Sequence, residues 1–369
     1  MAADTLSFSA ATAAAPIPCC DDTIYHNNDK LLATPAQSQI RSPLFGQLPA
    51  EIRSDIFAYA LTDYPDPCPD KAYGRATCYT RPAYFAPSKT DVALLQTCRA
   101  VYQECWHLPF LLREQVHWAV YDKDRAPPGY EFGPEMSRLE STLRAMRKYQ
   151  RQKFEIRNLR VFSQMSMLES GNFARLLQTP ELHPRTLTLT IRHADWWHWE
   201  EDDPLKFEGR WIPKVNEALS ESVREIRIEV ESLERKKAQV DGIAGQMMQK
   251  WFFKRADGVV LYADCKEVTR WKGTSRWHNM RWTRDESAEG VIDYYFTTVV
   301  FRPEHVLRKK SRAISALAKE YAQSAEAPSN VQLKLHDPSW KGMGYTQPRI
   351  KENDPRNFIM RRRSTRYRT

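Results

Sequence analysis

The sequence has little glycine and lacks the short motifs on which many enzyme active sites depend. Only 13 of its 369 residues are Gly, and it contains no glycine-rich phosphate loop, no Gly-x-Ser-x-Gly elbow, no His-Glu-x-x-His pair and no Cys-x-x-Cys pair. A phosphate cradle, an activated nucleophile and a paired zinc site are therefore not indicated. The sequence predicts a non-enzymatic protein with no catalytic residues, no cofactor and no metal.

Long apolar runs and signs of export are also missing. No segment approaches the roughly 18 apolar residues of a membrane-spanning helix, and no basic residue precedes Lys30, so a secretory or mitochondrial signal is not expected. The seven Cys are odd in number and irregularly spaced, which favours reduced thiols over a disulfide framework. We expect a protein of the cytoplasm or nucleus with no membrane partner.

The positive charge is concentrated in the last part of the chain. Residues 302–369 contain 16 Lys and Arg against 6 Asp and Glu, whereas the net charge of the whole sequence is +9. The remainder is therefore close to neutral, and basicity says little about the folded body. A basic tail attracts acidic partners, so binding of nucleic acid through the tail is a third functional hypothesis, behind the two given below.

Residues 41–122 predict a helical module with a long proline-rich insertion at 62–90. The stretch LPAEIRSDIFAYAL, residues 48–61, places Ile52, Ile56 and Tyr59 at helical spacing, with Glu51 in the first turn. A second helix is predicted from Ser88 onward, with apolar positions at 94, 98, 101 and 105. The apolar side of the first helix must face either the core of this protein or a partner.

Residues 135–303 predict a basic helix followed by a body of strands and helices. Strand patterns recur near positions 157, 186, 223 and 259 with helical patterns between them, which indicates a parallel layer like a degenerate leucine-rich repeat. Two later segments, RWHNMRWTR and VIDYYFTTVVF, are expected to close the sheet as antiparallel strands. A helix at 304–322 follows, and residues 1–40 and 323–369 are expected to be a disordered leader and a disordered basic tail. The predicted fold class is α+β.

Two tryptophan-rich stretches could carry chemistry. In IRHADWWHWEEDDP, His193, Asp195 and His198 could bind a metal, but a structural cap over the sheet is favoured, and an aromatic and acidic loop also suits a basic peptide. In RWKGTSRWHNMRWTR, residues 270–284, Trp and Arg side chains could meet nucleic acid. Strand alternation favours a structural role there as well.

The two predicted helices together resemble a known module. LPAEIRSDIFAYAL followed by LLQTCRAVYQECWHLPF is similar to the F-box-like module of fungal proteins, over roughly residues 44–118. The resemblance implies binding of the Skp adaptor of cullin-RING ubiquitin ligases, with the body selecting an unknown target protein. The implied partner-binding residues are Leu48, Pro49, Ile52, Ile56, Leu95 and Cys98. The alternative hypothesis is a free-standing interaction protein whose helices complete its own core.

Overall fold

The computed structural model describes residues 29–149, 153–277, 280–324 and 332–333. Its α-helices are α1 (Asp29–Ala33), α2 (Pro43–Gly46), α3 (Ala50–Ala60), α4 (Arg99–Cys105), α5 (Leu108–Leu112), α6 (Phe132–Tyr149), α7 (Met165–Glu169), α8 (Asn172–Leu177), α9 (Ile212–Ala218), α10 (Lys237–Lys250), α11 (Glu304–Lys309) and α12 (Ala316–Gln323). No helix among these described residues combines the length and apolar composition needed to cross a bilayer.

A seven-stranded mixed sheet organises the fold. In spatial order its strands are β3 (Glu114–Ala119), β4 (Ile156–Ser163), β5 (Pro184–Ile191), β7 (Glu225–Leu233), β12 (Val291–Pro303), β9 (Val260–Thr274) and β8 (Phe252–Lys254). The first four strands are parallel, and the remaining pairs are antiparallel. Two-residue strand pairs join β1 (Tyr64–Pro65) to β2 (Ser88–Lys89), β10 (Arg276–Trp277) to β11 (Met280–Arg281), and β6 (Phe207–Glu208) to β13 (Gln332–Leu333).

The two faces of the sheet differ in chemistry. Because successive side chains of a strand point to opposite faces, one face carries aliphatic residues such as Leu189 and Ile228, and α10 packs against its strands β7, β9 and β12. The other face carries charged and aromatic residues such as Arg160, Phe162 and Glu229. Residues 62–90, which we call the flap, contact this second face. A mixed α+β fold, as predicted, is thus confirmed.

The expected parallel layer is correct for three of its four strands. The strand predicted near position 259 is β9, and it pairs antiparallel with β12, which lies between β9 and the parallel strand β7. The prediction of a fourth parallel strand is therefore wrong. A further strand, β3, lies inside the segment assigned to the helical module, and it pairs parallel with β4. A two-residue periodicity indicates a strand but contains no information about the direction of its neighbours.

Two predicted helices are interrupted. Residues 88–89 form a strand rather than a helix start, Ala93–Gln96 form a single 3-10 turn, and α4 begins only after Cys98, whose backbone is extended at φ −159° and ψ 162°. The carboxylate of Asp91 accepts a hydrogen bond from the amide of Ala93 instead of serving a capping box with Ser88. The predicted helix at 304–322 is likewise two helices, α11 and α12, with Ser311 at a φ of 52° between them.

The predicted helical module shares a hydrophobic core with the body. One cluster of buried side chains extends from Phe57 and Leu61 through the parallel strands to Phe301. Contacts within the chain divide it after Leu335, and the second unit, 336–369, lies outside the described residues. Residues 1–28 of the predicted leader and most of the predicted basic tail also lie outside them, although residues 332–333 pair with β6.

Candidate functional site

Helix α3 and the two residues before it include four of the six residues that the sequence points to, and charged contacts fix the first turn of the helix. The helix begins after Pro49, and Glu51 occupies the first turn, where its charge complements the helix dipole. Arg53 donates from Nη1 to the carbonyl oxygen of Leu48 at 2.8 Å and from Nε to a carboxylate oxygen of Glu104 in α4 at 3.0 Å. This arginine therefore joins the start of α3 to the next helix along the chain.

The two sides of α3 have opposite environments. Phe57 is 1% exposed, and Leu61, just after the helix, is fully buried, so this side packs into the core. Ile52, Ile56 and Tyr59 are 47%, 42% and 86% exposed. Their spacing of four and three residues aligns them along one side of the helix. We call these three residues the Ile52 stripe, and its apolar surface is not covered by the described part of the chain.

The six partner-binding residues implied by the resemblance fall into three groups. Pro49, Ile52 and Ile56 are exposed, Leu48 and Cys98 are half-buried, and Leu95 is 6% exposed and belongs to the core. Leu95 is therefore not available for direct contact with a partner. Cys98 lies at the start of α4, where its backbone breaks the predicted second helix. An exposed surface for a partner is thus centred on α3, with Tyr59 added to the predicted set.

Exposed apolar side chains are concentrated in the stretch of sequence that includes this helix. Among the described residues ten large apolar side chains are exposed, and six of them lie between positions 31 and 64: Leu31, Ile40, Ile52, Ile56, Tyr59 and Tyr64. Single exposed apolar residues are ordinary on protein surfaces, whereas a local concentration is typical of an interaction site. The concentration favours the first described segment, rather than the sheet, as the place where a partner of this kind binds.

The histidines and aspartate of the tryptophan-rich loop after β5 do not form the metal site considered from the sequence. His193 is buried, with Nε2 3.7 Å from a carboxylate oxygen of Asp285, and Asp195 is held by the guanidinium of Arg192 at 2.6 Å. Burial alone would raise the pKa of Asp285, but contacts with His193 and Arg284 lower it well below its ordinary value.

Of the three tryptophans in the loop, Trp196 and Trp199 are buried and Trp197 is exposed.

A different trio in the same loop lies close together. Ligand atoms of His198, Glu201 and Asp203 lie within 4.8 Å of one another. His198 and Glu201 are exposed. Water therefore competes for any ion at this place, and exposed acidic groups commonly lie near one another for no such purpose. We assign no metal to this trio.

The aromatic and basic run at 270–284 is structural where the structure describes it. Trp277 and Trp282 are buried, and their ring centres lie 5.8 Å apart. Three of the run's four arginines pair with acidic neighbours: Arg270 with Glu234, Arg281 with Glu286, and Arg284 with Asp285. Trp277 and Trp282 are buried, as the structural interpretation expected, and these three arginines are neutralised within the chain. The expectation that residues 276–284 close the sheet as a strand is wrong, because they contain the separate two-stranded pair of β10 and β11.

Sequence reasoning missed the charged face of the sheet. In the segment VREIRIEVE, Arg227, Glu229 and Glu231 alternate with Ile226, Ile228 and Val230, and both carboxylates are buried in the structure. A regular charged alternation normally indicates a strand with one face in water. The tyrosine-rich insertion at 62–90 could have indicated a covered polar face, because such an insertion is expected to pack on some surface of the protein.

Comparison with protein-family models, with curated proteins and with solved structures finds no match to this chain.

Proposed function

We propose that this protein is a non-enzymatic interaction protein that binds a partner through the Ile52 stripe. The observation that carries the proposal is the division of α3 into a buried side, with Phe57 and Leu61, and an apolar side that stays exposed. A helix face with apolar residues at i, i+4 and i+7 is a common anchor for a partner groove. The partner implied by the resemblance is the Skp adaptor, and the sheet-containing body would then select the target of a ubiquitin ligase.

The second candidate is a free-standing interaction protein that does not bind the adaptor. It is favoured by the contribution of Phe57, Leu61 and Leu95 to the protein's own core. Side chains that stabilise the fold are needed whether or not the protein binds the adaptor. The two candidates differ in one measurable property, which is capture of purified Skp adaptor. Nucleic-acid binding through the basic tail stays a third hypothesis, and its residues lie largely outside the described part of the chain.

The test compares two charge insertions at exposed apolar sites. Ile56→Arg places a cation in the middle of the Ile52 stripe, and Tyr121→Arg places one at another exposed apolar residue, 76% exposed in the loop after β3. Central anchors of an interface typically contribute 2 kcal/mol or more, so we expect Ile56→Arg to weaken adaptor binding by at least about 30-fold. Tyr121→Arg should bind like wild type.

Surface plasmon resonance with immobilised adaptor measures both variants, and thermal unfolding verifies that each is folded. No binding by folded wild-type protein would exclude the adaptor function and leave the free-standing candidate. Equal weakening by both variants would show that the Ile52 stripe is not the interface. Salt-sensitive capture of single-stranded RNA by the full chain, lost when residues 325–369 are removed, would favour the third hypothesis instead.

A further inference from the structure

The second face of the sheet has more buried carboxylates than its own strands can neutralise. Glu229 and Glu231 of β7 are 5% and 2% exposed, and Glu114 of β3 lies on the same face. Arg160 of β4 contacts Glu229 and donates from Nε to Glu114 at 3.1 Å. Arg192, at the end of β5, is engaged by Asp195. Glu231 therefore needs a cation from outside the sheet, because an unpaired buried carboxylate is costly.

The flap supplies that cation with Arg81. Its Nη2 lies 2.7 Å from Oε2 of Glu231, and its guanidinium carbon lies 5.5, 5.8 and 5.3 Å from the ring centres of Phe162, Trp271 and Phe296. The indole of Trp271 also donates to the same carboxylate oxygen, at 2.9 Å. We call Glu231 and these three rings the Arg81 cage. A carboxylate combined with aromatic faces is the chemistry that recognises a planar guanidinium.

The flap is held on the sheet mainly near its tip, where the ring of Tyr79 packs on Trp118 and that of Tyr84 packs on Phe162, beside Arg81. Between residues 62 and 90 only Tyr79 and Arg81 are buried. The two ends of the flap meet in the short pair of β1 and β2, so its tip can leave while the sheet beneath keeps its hydrogen bonds. Segments with few buried side chains open at low free-energy cost. The flap is thus attached mainly by its tip and anchored at a narrow base.

The tip itself is an imperfect ligand for its own cage. Arg81 and Tyr84 are bridged by a tight turn that places Ala83 at a φ of 67°, a left-handed conformation that costs a residue with a side chain about 1–2 kcal/mol. Nη1 of Arg81 is buried and has no hydrogen-bond partner among the residues that the structure describes. Tyr84 donates its hydroxyl to Glu114, which adds a second point of attachment. A ligand that is free of the turn can occupy the same cage without this backbone strain.

We propose that the Arg81 cage is a binding site for an arginine side chain of a partner protein, and that Arg81 occupies it as an internal ligand until such a segment displaces the flap. The excess of carboxylates on this face selects a basic partner and repels phosphate, which excludes nucleic acid. A planar guanidinium stacks on aromatic rings better than an ammonium does, so arginine is favoured over lysine. No residue of the Ile52 stripe belongs to the cage, so the proposal stands independently of adaptor binding.

The first experiment empties the cage and refills it from solution. Arg81→Met keeps the apolar stem and removes the guanidinium, and Arg75→Met, at an exposed arginine of the same flap, is the matched control. The probes are N-acetyl-arginine amide and its uncharged analogue N-acetyl-citrulline amide. We expect the arginine probe, and not the citrulline probe, to raise the Tm of Arg81→Met with increasing concentration, by mass action on the folded state. Adding Glu231→Gln to Arg81→Met should abolish the rise, and Arg75→Met should show none.

The second experiment asks whether the flap is displaceable in the wild-type chain. The probe is the peptide acetyl-TRPAYF-amide, which copies residues 80–85, and its control carries citrulline in place of arginine. Hydrogen–deuterium exchange of the flap amides is expected to accelerate with the arginine peptide and to stay unchanged with the control. Because this arm uses the unmodified protein, it decides the proposal even if Arg81→Met does not fold. If the arginine probe raises the Tm of Arg81→Met but the peptide does not change exchange in the wild-type flap, the cage is a permanently filled structural pocket and the proposal is wrong. The proposal is also wrong if neither experiment gives a response.

Discussion

The buried pair of Arg160 and Glu229 offers a quantitative test of the charged sheet face. Arg160 contacts Glu229, and its Nη1 donates to Oγ1 of Thr190 at 3.0 Å, while Thr190 in turn donates to Glu229 at 2.6 Å. The side chains of Arg160 and Glu229 are 17% and 7% exposed. Removing the cation by Arg160→Met leaves Glu229 buried with only a hydroxyl partner, and Glu114 without its arginine. Breaking a buried pair in this way typically costs about 3–5 kcal/mol of unfolding free energy.

The opposite substitution is expected to cost less. In Glu229→Gln, Arg160 keeps its hydrogen bonds to Glu114 and Thr190, so the loss should be about 1–3 kcal/mol. The double variant Arg160→Met, Glu229→Gln removes both charges, so its cost should be at least about 1 kcal/mol smaller than the sum of the two single losses. Urea denaturation of the four proteins measures these values. A loss below about 1 kcal/mol for Arg160→Met, or strict additivity in the cycle, would refute the reasoning.

Three further predictions concern separate parts of the fold. Phe57→Ala should lower the unfolding free energy by about 3–5 kcal/mol because this side chain is buried, whereas Ile52→Ala should change it by less than about 1 kcal/mol. Urea denaturation measures both values, and equal losses would contradict the two-sided description of α3. Burial lowers the pKa of His117 from 6.5 to about 4, so between these pH values the unfolded chain binds a proton at His117 that the folded chain does not. The unfolding free energy is therefore highest above pH 6.5 and falls as the pH falls, by about 3 kcal/mol at pH 4. His117→Gln should remove this part of the pH dependence, and parallel stability curves for variant and wild type would exclude it. A Cβ at Gly273 would lie 2.6–2.7 Å from two aromatic rings, so Gly273→Ala should destabilise the protein by about 1–3 kcal/mol, while Gly245→Ala, with open space around a helix position, should be neutral or stabilising in thermal unfolding.

The sequence by itself determined the elements whose side-chain pattern is strong and local. The helix at 50–60, the strands that include Leu159, Leu189 and Ile228, and the helix between Lys237 and Lys250 follow from periodicity, because spacing along the chain decides which side of an element is apolar. It also indicated that the apolar side of this helix, with Ile52 and Ile56, faces either the protein's own core or a partner, without deciding between the two. Strand alternation also favoured a structural role for Trp277, although the expected strand is in fact the short antiparallel pair of β10 and β11.

Tertiary structure alone decided where that surface ends and what covers the sheet. Leu95 and Phe57 are apolar residues of the same predicted module as Ile56, yet only the packed core shows that the first two are buried and the third is not. The direction of β9 was equally undetermined, because a strand's pattern is the same whichever way its neighbour runs. The contact of Arg81 with Glu231 joins residues 150 positions apart. Local patterns contain no information about such distant pairs, since the attraction between them exists only once the chain has folded the flap onto the sheet.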